Sequence, residues 1–293
     1  MERQAVIGRA AAVGAVFLMS FGPSIVKLAD VAEITFVFWR LLAAVVFYSL
    51  LLVVTGRRLP WEDLRRCIPG GVLFGVNLVF FILTMRRTSA ANAVVIASLQ
   101  PVVLIGIAGP LFGERPRPSI YLWSAVAMGG VVVAMMGADA TGVATRTGDL
   151  LAVGTMLLFA AYYVVSKRSR VNLDSATYQV GLTVVATLTV LPFAPAMGQS
   201  LAPPPVDQWI WIALMAVIPG TGHLLTNYAL GHVPIILMSL VGLLFTVVAP
   251  LYAWWLVGEK IGGVQALGMA LVIAALAVVV TRPVEKPPAL TVG

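Results

Sequence analysis

Carboxylates are scarce in this chain of 293 residues, histidine is rare and cysteine is almost absent. With Cys67 alone, no disulfide can form within the chain and no cysteine-based metal site can be assembled. His223 and His232 have no cysteine or nearby carboxylate to complete a ligand set, so no metal or other cofactor is expected. Charged residues make up only 11% of the chain, where soluble domains carry about a quarter, so a soluble globular protein is excluded. No apolar run carries a central Asp or Glu. Acid–base or metal chemistry within the membrane therefore lacks its groups, and an enzyme is not expected.

Apolar residues are abundant, at 60% of the chain. A spanning helix needs roughly 20 mostly apolar residues. Runs of that kind lie near 6–28, 34–54, 67–85, 90–112, 119–137, 148–166, 175–196, 209–228, 234–257 and 261–281. Turn and charge signals such as "TGRRLPWEDLRR", "GERPRPS" and "GEKIGG" separate them. The runs are about twice the length of barrel strands, which excludes a β-barrel. The first run is too long for a signal-peptide core and is expected to be retained as a span. The chain reads as an all-α polytopic membrane protein of ten transmembrane helices.

The net charge of +7 is mostly topology. With a cytoplasmic N-terminus, thirteen of the nineteen Lys and Arg residues fall on the cytoplasmic side, five on the other, and Arg40 inside a span. The positive-inside rule then puts both termini in the cytoplasm. A nucleic-acid partner is not expected.

Moved by 145 residues, the chain overlies itself. "GVNLVFFILTMRRTSAANAVVIASLQPVVLIGIAGPLFGER" (75–115) meets "GTGHLLTNYALGHVPIILMSLVGLLFTVVAPLYAWWLVGEK" (220–260) without a gap. Gly113-Glu114 falls on Gly258-Glu259, and Arg115 on Lys260. Residues 1–140 and 141–293 thus form two halves of five spans. Five is odd, so the second half enters the membrane inverted. Inverted repeats of this kind belong to alternating-access transporters, with the site near the midplane between the halves.

"SFGPSIVK" in the first span, "FWR" in the second, "TSAANAVVIASLQPVVLIGIAGPLFGERP" in the fourth and "LVGEKIGGVQALGMALV" across the ninth and tenth resemble the drug/metabolite transporter superfamily. The likeness is to its ten-helix EamA-type branch, within it to YddG-type aromatic amino acid exporters, and covers essentially the whole chain. It implies metabolite efflux. The repeat partner of Pro101 is Thr246 rather than a second proline, and Pro250 follows one turn later, so the two helices are not expected to bend alike.

Interrupted spans point to a binding site, because freed backbone groups are tolerated only beside a cavity. Three candidates are "FGPS" (21–24), "LQPV" (99–102) and "IPGTGH" (218–223), the last around Pro219. The expected cavity is framed by spans one, three, four, six, eight and nine. Candidate substrate-binding residues near the midplane are Asn77, Phe81, Ser98, Gln100, Tyr162, Tyr163, His223, Asn227 and Thr246. Each has a bland alternative. Ser and Thr often bond their own helix backbone. The amides of Asn77 and Asn227 must face the interior, toward substrate or a neighbouring helix. Tyr162 and Tyr163 point about 100° apart, so one at most faces the cavity squarely. His223 is expected as a neutral, hydrogen-bonded ring, with a proton relay as the alternative.

Arg40 lies six residues into the second span, about 9 Å below its outer end. It reads as a structural anchor, with Glu33 seven residues earlier as a reachable partner, rather than as a ligand for a substrate carboxylate. Glu114 and Glu259 close related helices on opposite faces and read as anchors or gate contacts. Ridges of small residues in the fifth and tenth spans, Gly130-Ala134-Ala138 and Ala266-Ala270-Ala274, permit close helix contact, between the halves or between monomers.

Together these point to a cell inner-membrane exporter of small metabolites. Amino acids are the expected cargo, aromatic or neutral, moving by facilitated diffusion or exchange through a central cavity. The lipid bilayer and a small-molecule substrate are its partners, and the chain is expected as a monomer or weak dimer. The alternatives are a multidrug or quaternary-amine exporter, a nucleotide-sugar carrier, and a non-transporting scaffold or receptor.

Overall fold

A computed structural model describes residues 2–88, 90–114, 116–138 and 145–281. The boundary expected between residues 140 and 141, and Arg115, Arg282 and Lys286 of the charge tally, lie outside them. The described residues form helices and no strand. Among the described residues, ten segments are long and apolar enough to cross a membrane.

The first span is α1 (Glu2–Met19) followed by α2 (Gly22–Leu28), and the second is α3 (Glu33–Val54). The third, α4 (Trp61–Arg87), starts six residues earlier than expected. There "WEDLRR" continues the helix, with Glu62 and Asp63 in the first turn where carboxylates suit the helix dipole. The fourth is α5 (Ala90–Ala97) and α6 (Gln100–Phe112), and the fifth is α7 (Pro118–Met136). The second half repeats this. It comprises α8 (Arg146–Ser169), α9 (Ser175–Val190) with the short α10 (Phe193–Ala196), α11 (Trp209–Leu230), α12 (Ile235–Gly242) with α13 (Phe245–Val257), and α14 (Gly263–Thr281).

Every boundary of α5, α6 and α7 recurs in α12, α13 and α14 after a move of 145 residues. The breaks also coincide. Ser98-Leu99 interrupts span four and Leu243-Leu244 interrupts span nine. Both are bridged by tighter i→i−3 bonds: Leu99 N–H to Ile96 O and Val102 N–H to Leu99 O, Leu244 N–H to Val241 O and Val247 N–H to Leu244 O. A second proline is therefore not needed, and the two spans break alike despite Thr246. Both α6 and α13 end on a left-handed glycine, Gly113 (φ 66°) and Gly258 (φ 78°). The Glu114 N–H bonds to Ala108 O and the Glu259 N–H to Ala253 O, so the same C-cap occurs twice.

One expected interruption is absent. The eighth span is a single helix with Pro219 inside it. A proline there removes one backbone donor, and the flanking turns hold the helix together.

Helices α7 and α14 pack closely, through a face of α14 other than its alanine ridge. Ala266, Ala270 and Ala274 are exposed; Gln265, Gly268, Met269, Val272, Ala275, Leu276 and Val279 are buried. A Cβ on Gly130 would stand 3.0 Å from Gly268 O, and one on Gly268 would strike the backbone of Ala134. The glycine at 268, rather than the alanine ridge, sets the approach.

At the start of α9, Asp174 caps the helix. Its carboxylate accepts from the Ala176 N–H (3.0 Å), the Thr177 N–H (3.2 Å) and the Thr177 hydroxyl (2.5 Å), and pairs with Arg57 from the loop after α3. Burial alone would push its carboxyl up. The Thr177 bonds, the Arg57 charge and the Ala176 amide outweigh this, and it titrates below the usual carboxylate range. A depressed folded pKa gives stability that is present above the unfolded carboxylate pKa and lost as pH falls through the folded one. Asp174→Ala should cost about 1 kcal/mol at neutral pH and should flatten the decline in melting temperature on acidification below about pH 4. Thermal unfolding of the detergent-solubilised pair across pH 3–7 measures both effects.

Candidate functional site

A narrow gap with room for about one water molecule lies between spans two, three, seven and eight. On α3 it is lined by Arg40, Leu41, Ala44 and Tyr48, a single helical face, and on α9 by Gln179 and Thr183, one turn apart. Met215, Ala216, Gly220 and His223 of α11 and Phe74 of α4 complete it. Of the expected frame of spans one, three, four, six, eight and nine, three and eight contribute to this gap.

The repeat explains why the gap lies there. In the first half, Gly70, Gly71 and Gly75 let α4 press against α9; an added Cβ at Gly71 or Gly75 would stand 2.9–3.0 Å from the backbone oxygens of Leu182 and Ala186. Moved by 145 residues these positions become Met215, Ala216 and Gly220. The two larger side chains keep α11 from closing on α3 as tightly as α4 closes on α9. At the one retained glycine, the Tyr48 hydroxyl comes to 2.6 Å from where a Gly220 Cβ would stand. The Met215 carbonyl lies 3.9 Å from the same point, and Pro219 has no N–H to give it.

Polar groups without partners gather here. Arg40 (8% exposed), Tyr48 (1%) and His223 (7%) are buried. The Tyr48 hydroxyl and His223 Nδ1 have no hydrogen-bond partner, and Arg40 has no hydrogen bond or ion pair with any described residue. Glu33, the expected partner of Arg40, accepts instead from Gln199 Nε2 at 2.7 Å. His223 is not the hydrogen-bonded ring expected: its Nδ1 is buried with no partner among the described residues. Phe74 meets it edge-on at 4.7 Å.

Of the nine expected binding residues, His223 alone lines the cavity. Tyr162 donates to Asn227 Oδ1 (2.8 Å), and Asn227 Nδ2 donates to Gln179 Oε1 (2.7 Å), a buried relay behind the cavity wall that joins spans six, eight and seven. Asn77 donates to Thr155 O at 2.9 Å, a helix-to-helix contact. Ser98, at the break in span four, donates back to Val95 O of α5. Tyr163 and Thr246 are buried, and Phe81 is half-buried. Gln100 is buried at the start of α6 beside Pro101, its Nε2 without a partner, and is not a cavity-lining residue. Pro250 lies inside α13. Sequence reading missed Tyr48, Gln179 and Thr183. Gln179, an amide five residues into an apolar run, was the signal available.

At the membrane faces, two ion pairs occupy related places. Glu114, after α6, meets Lys167 at the end of α8 at 3.3 Å; their side chains are 4% and 10% exposed. Its carboxylate also accepts from the Ile235 and Ile236 N–H groups (2.9 and 3.4 Å), capping α12. Lys167 donates to Val233 O at 2.7 Å. Glu259, after α13, pairs with Lys27 of α2 on the opposite face, and these side chains are 46% and 50% exposed. Spans six and four hold one pair, and spans one and nine, their repeat mates, hold the other.

Ten spans in two inverted sets, broken in register and flanking a buried polar cavity, define a membrane transporter of small molecules. The profile of the EamA-like transporter family matches residues 6–136 and 146–281, and the chain belongs to that family. One solved crystal structure has the same fold, with a TM-score of 0.76 at 19% identity, covering 95% of this chain and 96% of the other. No curated protein matches the chain.

Tyr162→Phe removes the donor to Asn227 and leaves a buried acceptor unsatisfied. It should destabilise the protein by about 1–3 kcal/mol. The same substitution at Tyr163, which has no such bond, should have a smaller effect; melting temperatures of the two variants side by side provide the comparison.

Proposed function

We propose that this protein exports small metabolites, amino acids foremost, aromatic or neutral, across the cell inner membrane by alternating access. The observation that supports this most directly is the unlike state of the two repeat-related ion pairs. The same Glu–Lys design is buried and fully engaged on one face and half-exposed on the other. A duplicated scaffold with no moving function has no use for one latch closed and one open. A transporter that alternates between faces requires it. The seams agree with the latches: α4 packs on α9 more extensively than α11 packs on α3.

With both termini cytoplasmic, as the basic residues suggest, the closed Glu114–Lys167 latch is on the cytoplasmic side. Rocking of the halves would free it and let the Lys27–Glu259 pair tighten in turn. The cavity carries no Asp or Glu among the described residues, which fits facilitated diffusion or exchange better than proton coupling through a carboxylate. It also disfavours an organic cation, since the one charge facing it is positive.

Two experiments test the reading. Uptake of radiolabelled phenylalanine, leucine and threonine into proteoliposomes should equilibrate above protein-free vesicles and ignore an imposed pH gradient; transport of none of the three would sink the amino-acid assignment. The latch has its own reporter. Cys67 is buried in the seam between α4 and α9, with Gly181 packed against it. Glu114→Gln should raise its rate of maleimide modification several-fold, and Glu259→Gln should leave it unchanged.

A further inference from the structure

We infer that the cavity between spans two, seven and eight is the site at which the cargo's carboxylate binds, with the Arg40 guanidinium and the Tyr48 hydroxyl as its donors. This rests on the transport reading for its claim that the bound group belongs to cargo. The site's chemistry stands on geometry alone.

An arginine inside a span almost always pairs within the protein, because an isolated charge out of water is costly. Arg40 does not, although Glu33 lies two turns earlier on the same helix; Glu33 accepts from Gln199 instead. Arg40 is 8% exposed as a residue, and it lines the gap between the spans. Tyr48, two turns further along the same face of α3, adds an O–H that is 1% exposed and has no acceptor. The polar side chains of the lining are engaged with one another instead: Gln179 Oε1 accepts from Asn227, and the Thr183 hydroxyl donates to Gln179 O at 2.6 Å and accepts from Gln179 Nε2 at 3.4 Å. A planar fork of donors with a neighbouring hydroxyl is complementary to a carboxylate and not to an ammonium.

The opposite wall offers the complement. Pro219 leaves the Met215 carbonyl without its helical donor, and that oxygen lies beside Gly220 on the side from which Tyr48 approaches. A carbonyl in this position accepts from an ammonium. Leu41, Ala44, Phe74, Met215 and Ala216 supply an apolar surround for a side chain. Donors for a carboxylate, one acceptor for an ammonium and an apolar wall together describe a neutral α-amino acid.

The test compares four ligands that share one hydrocarbon body: leucine, 4-methylpentanoate (no ammonium), leucinamide (no carboxylate) and 3-methylbutylamine (neither carboxylate nor amide). Their affinities for the purified full chain in detergent are read from thermal stabilisation. Leucine should bind at least tenfold more tightly than leucinamide or the amine, as expected for charge-assisted bonds. It should bind several-fold more tightly than 4-methylpentanoate. Equal binding of leucine and leucinamide, or no stabilisation by any of the four, overturns the carboxylate site. Equal binding of the two acids overturns the role of the Met215 carbonyl. Arg40→Gln should weaken leucine binding about 100-fold and Tyr48→Phe about tenfold, with Arg40→Lys recovering part of the loss. Unchanged affinity in a folded Arg40→Gln protein refutes the inference; if that variant does not fold, Tyr48→Phe and the ligand series decide. Flux separates this inference from the reading beneath it. Acid-selective binding without proteoliposome transport defeats the transporter and leaves the site, whereas leucine transport that leucinamide inhibits equally well defeats the site and leaves the transporter.

Discussion

Lipid offers no hydrogen-bond partners, so every backbone amide and carbonyl in a span must find one inside the protein. The irregular places in this chain follow from that constraint. At the break in span one, the Ser20 hydroxyl returns to Val16 O at 2.7 Å; at the break in span four, Ser98 returns to Val95 O at 2.6 Å. Shortened i→i−3 bonds carry the chain across the breaks in spans four and nine. The N-terminus of α12 is buried and takes the Glu114 carboxylate as its cap, which converts a loose end into a junction of three spans. Pro219 is the exception that matters, because the carbonyl it frees lies beside a cavity instead of within a packed seam.

Duplication gives each half the same instructions, and the function lies in where they diverge. Glycines at 70, 71 and 75 close one seam; methionine and alanine at 215 and 216 prop its mate open. The ion pairs show the same divergence in energetic terms. An exposed pair such as Lys27–Glu259 contributes little, typically 0–1 kcal/mol, and is easily parted. A buried pair is stable only when further hydrogen bonds satisfy both ions, which Ile235, Ile236 and Val233 supply to Glu114 and Lys167. Breaking the buried latch therefore requires both ions to regain partners or water at once. On this reading the two faces exchange those roles over a cycle, and the difference in burial is what the halves trade.

Much of the fold was legible in the sequence. The ten apolar runs, the 145-residue repeat and the Gly-Glu helix ends were all visible as pattern, and the helix boundaries from residue 90 onward follow that shift. The break in span nine was not, because it has no proline to announce it, whereas Pro219 announced a break that the continuous helix α11 absorbed. The site was less legible. Depth in the membrane can be counted along a span, but rotation about the helix axis cannot be read reliably when apolar residues cover every face. Tyr162, Asn227 and Asn77 are at the right depth and point into helix contacts; Tyr48, Gln179 and Thr183 are at similar depths and line or back the cavity. Likewise the sequence did not say which face of α14 meets α7: Gly268 does, and the ridge of Ala266, Ala270 and Ala274 is exposed.

Arg40 ties these strands together. Had evolution of this site favoured stability alone, a carboxylate beside the guanidinium would neutralise it, and any arriving substrate would have to displace an internal partner. Leaving the charge unpaired raises the free energy of the empty cavity, and a bound carboxylate then relieves part of that cost. Affinity obtained this way depends on the cavity remaining dry and shaped around the ligand. When the seam between α11 and α3 loosens toward either face, water reaches the guanidinium and the carboxylate, the effective dielectric rises, and the attraction between them falls several-fold. A binding charge held in a seam that opens is thus strong when the cargo is occluded and weak when it must leave, which is the condition for release without a coupled ion.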